Sequence, residues 1–355
     1  MNKTLYLFLA TILFASCVKD KPNPDTYTLP NATHRGIIVC NEGSYGNNNA
    51  ELSFIDLETN SSFNQLFRTA NNKSMGDVAQ SISLINGNYY IPVNNSNKIL
   101  VVNAQNFSLI AEINNIKSPR YITQVNPTKA YVSSLYFPSV YVIDLNTNSL
   151  LKTITVDHPN TERMLSLNGY CYVTNWDTAS NLVYKINTTT DDVEDNIQLP
   201  GRASHDIVLD KNNMLWVLSG NKYKNKNSWL SQINPVSNKV IKSFPFHASE
   251  DPFRLTMHPD GITMFYININ YNGAATDNGL YLMNIYGSNL PVIPRIQART
   301  NSYFWAIGID SVTNHIFLSD PKGFTQQSTV YEYSYSGAFL REFNTGIGAN
   351  TFLFK

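Results

Sequence analysis

The sequence predicts an all-β fold: a seven-bladed β-propeller of four-stranded blades, its ring closed by the C-terminal strand joining the N-terminal blade. Three observations predict it. From Gly36 onward, short runs rich in Val, Ile, Tyr and Phe alternate with clusters of Asn, Gly, Ser and Asp, and no amphipathic helix stands out. One kind of turn recurs at intervals of about 41 to 50 residues, the period of a four-stranded blade. The first period, Gly36 to Phe67, holds only three strands, while Asn350 to Lys355 form a spare apolar strand at the far end.

The recurring turns are, in order, Asp56–Asn60, Asn103–Asn106, Asp144–Asn148, Asn187–Asp191, Asn234–Asn238, Asn284–Asn289 and Tyr333–Gly337, each between two apolar strands. Asx residues suit such positions because their side chains bond the backbone a few residues on and tolerate the left-handed region. Within a period the strands separate as a to d. Tyr121–Val125, Ala130–Ser134, Val140–Asp144 and Leu150–Val156 form one set; Asp206–Leu209, Leu215–Ser219, Trp229–Ile233 and Lys239–Phe246 form another. Joining the spare C-terminal strand to the first period completes seven blades and removes the sheet edges that an open array would leave exposed.

The propeller is expected over residues 34–355, preceded by a processing segment. Residues 1–16 read as a signal peptide: Lys3 supplies the positive charge, Leu5 to Phe14 an apolar stretch, and Ala15 and Ser16 the small residues before the cut. That stretch falls short of the roughly 20 apolar residues that span a bilayer. Phe14 to Cys17 resembles the bacterial lipobox, which implies that Cys17 is lipidated and becomes the mature N-terminus. Residues 17–33, with Pro22, Pro24 and Pro30, then form an extended tether. Cys40 and Cys171 lie in apolar strand-like runs and read as buried thiols.

The strand rhythm carries a resemblance. Ala130 to Ser134 followed by Val140 to Asn148, and Tyr172 to Asn175 followed by Leu182 to Asn187, resemble the repeat of the YncE-like, or surface-layer-type, seven-bladed β-propellers. Lipoproteins of this form in the Bacteroidetes include a cell-surface propeller that binds vitamin B12 and caps the cobalamin TonB-dependent transporter. The resemblance therefore implies an outer-membrane, lipid-anchored, non-enzymatic protein that captures a nutrient, with cobalamin or another corrinoid as a candidate and a TonB-dependent transporter as the partner. The surface-exposed members carry a short acidic run after the lipidated cysteine, which Lys19, Asp20 and Lys21 match only in part, so either face of the outer membrane stays open.

Composition narrows the function classes. The 355 residues carry 26 Lys+Arg against 26 Asp+Glu, a net charge of zero, and only 15% are charged, which excludes the basic footprint of a nucleic-acid binder. Aromatics reach 12% and there are 46 asparagines, so the polar surface is built mainly from uncharged groups.

Neighbouring strands of a blade are antiparallel, so the d-to-a connectors and b-to-c loops share one face. The connectors contain Arg68, Arg120, Arg163, Arg202, Arg254, Arg295 and Arg299, seven of nine arginines, but only Lys73 and Lys117 of seventeen lysines. Guanidinium is planar, always charged and bonds bidentately, which suits carboxylate, phosphate or amide-rich ligands. The same arginines are also placed to pair across blades with Asp77, Glu162, Asp206, Glu250 and Asp251. The b-to-c loops add Tyr45, Tyr136, Phe137, Trp176, Tyr223, Tyr271 and Phe324, joined by Tyr303 and Trp305 from a connector. Such side chains grip partners and ring-shaped ligands at low entropic cost.

The expected ligand face thus comprises Arg120, Tyr136, Phe137, Arg163, Trp176, Arg202, His205, Arg254, Tyr271, Tyr303, Trp305 and Phe324. No catalytic, cofactor or metal motif appears. His158, His205 and His247 nevertheless fall in connectors near Asp157, Asp206 and Glu250, which keeps a lactonase-like or other hydrolytic propeller as the alternative, alongside a pure adhesion or assembly module.

Overall fold

The computed structural model describes residues 29–269, 278–300 and 302–355. The predicted signal peptide, Cys17, most of the tether and Tyr271 lie outside these residues. Seven four-stranded antiparallel sheets are arranged in a ring, a seven-bladed β-propeller. Blade 1 takes its inner strand a from the C-terminus: Ala349–Phe354 pairs antiparallel with Gly36–Asn41, followed outward by Glu51–Asp56 and Ser61–Phe63. In the other blades the chain runs a to d from the channel outward. Their inner strands are Ser83–Ile85, Pro119–Asn126, Thr161–Leu167, Ser204–Leu209, Pro252–Met257 and Ile307–Ile309.

The apolar runs of strands b and c are buried because each serves two interfaces at once. Side chains alternate across a strand. Ile38 and Cys40 accordingly pack toward blade 2 while Ile37 and Val39 pack toward blade 7. Seven such inter-blade clusters go round the ring, and the two free cysteines are buried within them. The repeated turns work as their composition implies. Asp56 Oδ1 accepts the N–H groups of Glu58 and Thr59 at 2.9 and 3.0 Å, and Asn103, Asp144, Asn187 and Asn234 cap their own turns the same way. Asn60, Asn148, Asp191 and Asn238 then take positive φ. Tyrosines of strand b tie these turns to the preceding blade: the Tyr90 hydroxyl donates to Asn148 Oδ1 at 2.7 Å, and Tyr131 does so to Asp191.

A second repeated device sets the head of strand a. Val78, Ser118, Asn160, Ala203 and Gly348 all adopt positive φ, between 44° and 71°. Each of their carbonyls accepts the N–H of the residue that follows strand b or lies at its end: Asn94, Leu135, Trp176, Gly220 and Glu42, at 2.7 to 3.1 Å. A β-branched residue such as Val78 is held there against its preference. Two positions beyond each kink come Gln80, Arg120, Glu162, His205 and Asn350. In these five blades the kink therefore delivers one polar side chain to the mouth of the central channel.

One departure from the sequence expectation is a six-residue helix, Leu66–Asn71, between blades 1 and 2. It is too short to show a helical period, and burial of Leu66 and Phe67 stabilises it rather than propensity. Its start is capped from outside: the Glu51 carboxylate accepts the N–H groups of Leu52, Phe67 and Arg68 at 2.9, 2.8 and 3.1 Å.

Two outcomes follow. Deleting residues 350–355 opens the ring and strips strand b of its partner, and should lower the melting temperature by more than ~10 °C in a thermal scan. Burial pushes the Glu51 carboxyl up to about 7 against the pull of its three N–H donors. The folded state then holds a proton that the unfolded chain releases near 4.5, so stability falls as pH rises from about 4.5 to about 7, by roughly 1–3 kcal/mol. Urea titrations across that window should show the decline, and Glu51→Gln should flatten it.

Candidate ligand-binding site

Seven of the twelve expected site residues gather at the mouth of the channel, Arg120, Arg163, His205 and Arg254 on inner strands and Tyr303, Trp305 and Phe324 from a connector and a loop, but they are used differently. Arg120 is committed to the ring. Its Nε and Nη2 donate to the two carboxylate oxygens of Glu162 at 3.0 and 3.1 Å, and Nη1 donates to Gln80 Oε1. Burial works against the charge on Arg120, but the Glu162 carboxylate outweighs it and raises the guanidinium pKa. Arg254 is committed as well: Nε donates to the Trp305 carbonyl at 3.0 Å, Nη1 to the Tyr121 hydroxyl at 3.4 Å, and Nη2 to Asn350 Oδ1. Asn350 in turn donates to the Gln80 carbonyl at 2.6 Å, linking the closing strand to blade 2.

Asp206 is the anionic hub. Oδ2 accepts the backbone N–H groups of Arg254 and Leu255 at 2.7 and 3.2 Å and faces His205 Nδ1 at 3.0 Å. Arg254 takes positive φ to make this contact. Burial alone would raise the Asp206 pKa, but the His205 hydrogen bond and the charges of His205, Arg163 and Arg254 hold it down at about 2. Asp206 is thus a carboxylate across the ordinary pH range.

Arg163 differs from the other two. Its guanidinium lies 4.1 Å from the Tyr121 ring centroid, a stacked position, and Nε is 3.6 Å from Asp206 Oδ1, beyond hydrogen-bond range. Nε is buried without a hydrogen-bond partner.

Beside Arg254, whose guanidinium lies 5.3 Å from the indole centroid, Trp305 Nε1 donates to Glu42 Oε1 at 3.0 Å, and the indole packs against Phe324, Phe253 and Tyr303 with ring centroids 5.3, 5.5 and 6.5 Å away. Burial pushes the Glu42 carboxyl up, opposed by Trp305, Arg254 and Arg120.

Several expected residues stand outside this cluster. Tyr136 and Trp176 are exposed on b-to-c loops, together with Tyr45 and Tyr223, with relative exposures of 70, 37, 79 and 85%. Phe137 is half-buried beneath the Lys117 ammonium, 4.9 Å from its ring. Arg202 is exposed and donates to the Ala179 carbonyl. Of the acids placed to pair with connector arginines, Glu162 and Asp206 do so, with Arg120 and Arg163; Asp77 and Asp251 accept the backbone N–H groups of Gly46 and Lys222 from neighbouring b-to-c loops, and Glu250 that of His247 in its own loop. His247 bonds Ser249 in an exposed loop and His158 is engaged through its backbone, by Tyr184 and Asn175, so the three histidines have no partner in common. Among the described residues no group of three or more His, Cys, Asp or Glu side chains could hold a metal.

Sequence reasoning missed Gln80, Tyr121, Asn350, Thr351 and the role of Glu42. Gln80 and Asn350 lie two residues past a kink and Tyr121 and Thr351 three, an offset that is invisible until the kinks are seen.

Residues 35–346 match the family model described as "Domain of unknown function (DUF5074)". The chain belongs to the DUF5074 family. A comparison with curated proteins finds no match. Among solved structures, the DUF5074 chain is similar to a quinonprotein alcohol dehydrogenase-like protein of Bacteroides thetaiotaomicron, at 14% identity and a TM-score of 0.66, covering 91% of this chain and 79% of that one. It is similar also to a candidate 6-phosphogluconolactonase of Bacteroides uniformis, at 10% identity and TM-score 0.66, covering 90% and 99%. A functionally unknown protein of Desulfotomaculum acetoxidans matches at 14% identity and TM-score 0.62, covering 91% and 99%. At these identities the likeness is one of fold, and the activity has to be argued from the site.

The contrast among the arginines is measurable. Arg120→Ala leaves Glu162 buried without its cation and should cost about 3 kcal/mol in urea unfolding, whereas Arg163→Ala loses a stacked contact and a long ion pair to an Asp206 that keeps its three partners on Oδ2, and should cost about 1 kcal/mol or less.

Proposed function

We propose that this DUF5074 propeller is a lipid-anchored, non-enzymatic binding protein of the outer membrane that captures a nutrient at its channel mouth for a TonB-dependent transporter. Cobalamin or another corrinoid is the first ligand to try, on the strength of the resemblance to YncE-like lipoproteins. The observation that carries the reading is the pairing of a polar mouth, built from the inner strands, with a crown of exposed aromatics: Tyr45, Tyr136, Trp176 and Tyr223, from the b-to-c loops of four blades, stand on the same face. A rigid ring presenting separate loops can contact a broad ligand without first ordering them.

The chain's geometry fits an anchor. Gly36 begins strand b of blade 1 at the opposite face, so residues leading back toward Cys17 leave from the side away from the mouth. A tether of the length of residues 17–33 reaches at most roughly 55 Å when fully extended. It would hold the propeller near the lipid with its mouth free.

Calorimetric titration of the full chain in detergent with cobalamin and with other cargoes of TonB-dependent transporters tests this. A bound cargo should lose tenfold or more in affinity in a Tyr136→Ala, Trp176→Ala double variant. No binding of any cargo, or binding indifferent to those rings, removes the proposed face.

A second, hydrolytic reading rests on the His205 and Asp206 pair, 3.0 Å apart, with the carboxylate held ionised beside the channel. It requires turnover of a lactone or ester that His205→Ala abolishes while binding persists.

A further inference from the structure

The three mouth arginines divide into two that are satisfied and one that is not. Arg120 and Arg254 spend their donors on Glu162, Gln80, Trp305, Tyr121 and Asn350. The Arg163 guanidinium makes no hydrogen bond among the described residues. It is held flat on Tyr121, and the nearest carboxylate, Asp206, is already engaged by two backbone N–H groups and His205.

Arg163 also lines a cavity of about 250 Å³ within the channel, together with Asp206, Arg254, Asn350 and Thr351. A second unsatisfied polar atom belongs to this wall: Thr351 Oγ1 is buried without a partner. Buried donors without partners are uncommon, and each costs roughly 1–3 kcal/mol unless something fills the role. The Arg163 side chain as a whole is 32% exposed, so its terminal N–H groups, which bond no described residue, are the donors the cavity presents. The lining is also unbalanced in charge, with two guanidinium groups against one carboxylate, whose Oδ2 already takes three partners.

We propose that this cavity is an oxyanion subsite in which Arg163 and Thr351 receive a carboxylate or phosphate group carried by the captured ligand. A guanidinium held by stacking keeps its fork oriented and its N–H groups free, the arrangement that favours bidentate capture of a planar or tetrahedral anion. Arg254, fixed by its own bonds, adds a second positive charge to the wall. The volume is below the ~300–1,000 Å³ that encloses a whole drug-sized ligand, so the cavity takes the anionic end while the bulk of the ligand lies under the aromatic crown. This rests on the reading that the face receives a ligand, but it makes a separate claim about that ligand's charge.

The test uses inorganic phosphate and citrate as probes, titrated into the full chain at low ionic strength by calorimetry. At least one of them should bind, and which one does identifies the preferred oxyanion. Arg163→Gln should weaken that binding by about tenfold or more, and Arg163→Lys should fall between, because a point charge lacks the fork. Lys239→Gln, on an exposed outer strand, should bind as the parent does. A melting curve checks that Arg163→Gln folds; if it does not, Arg163→Lys carries the comparison. Failure of both anions to bind, or equal binding by Arg163→Gln, overturns the subsite. If a neutral cargo binds through Tyr136 and Trp176 while both anions fail, the subsite falls and the capture face stands. If the anions bind through Arg163 and no cargo binds, the reverse holds.

Discussion

The structure depends on one pairing between chain ends: Ala349–Phe354 hydrogen-bonded along Gly36–Asn41. This pairing gives the first blade its inner strand and seals the cluster in which Phe317 and Val330 of blade 7 pack against Ile37 and Val39. It also completes the mouth, because Asn350 receives Arg254 from blade 6 and donates to the Gln80 carbonyl of blade 2, while Thr351 faces the cavity lining. Fold and site are thus closed by the same six residues. Seven sheets that each bury both faces leave no room for independent blades, so a disturbance at the seam is felt at the channel.

Electrostatics divides the mouth into parts that hold the ring and a part that is open. A buried bidentate pair such as Arg120 and Glu162 brings little net stability over an apolar isostere, yet removing one partner is costly, which makes it a fixed strut. Asp206 works as a hub for the same reason: three donors converge on one oxygen, and the carboxylate remains ionised despite its burial. Of the three mouth arginines, only the Arg163 guanidinium makes no hydrogen bond to a described residue; it is placed by stacking on Tyr121 and by a 3.6 Å ion pair with Asp206. A charge placed by dispersion and quadrupole attraction, with its hydrogen-bonding capacity unspent, is chemically available in a way that a paired arginine is not.

The fold says little about function, and the neighbours at 10–14% identity illustrate why. A propeller is a scaffold on which each blade offers one connector and one loop to a shared face. What the face does depends on a few side chains at the inner-strand heads, two residues past a left-handed kink. That offset gives the mouth its arrangement of Gln80, Arg120, Glu162, His205 and Asn350 in five blades.

Much of this was legible in the sequence. The turns from Asp56 to Gly337 marked the blades because Asx chemistry is local, read from a side chain and the next three residues. The three-strand first period and the apolar end of the chain pointed to closure by simple counting. The gathering of arginine on the connectors was equally plain, and so was the choice between pairing and ligand binding, which the sequence left open. The tertiary structure made that choice residue by residue, since whether an arginine is free depends on where carboxylates from other blades fall. Glu162 reaches Arg120 bidentately while Asp206 stops 3.6 Å short of Arg163, a difference set by backbone kinks and strand register. The helix at Leu66–Asn71 escaped detection because six residues carry no period. Local chemistry determined the blades; long-range geometry, which no short window of sequence encodes, decided which guanidinium groups were hydrogen-bonded and which were not.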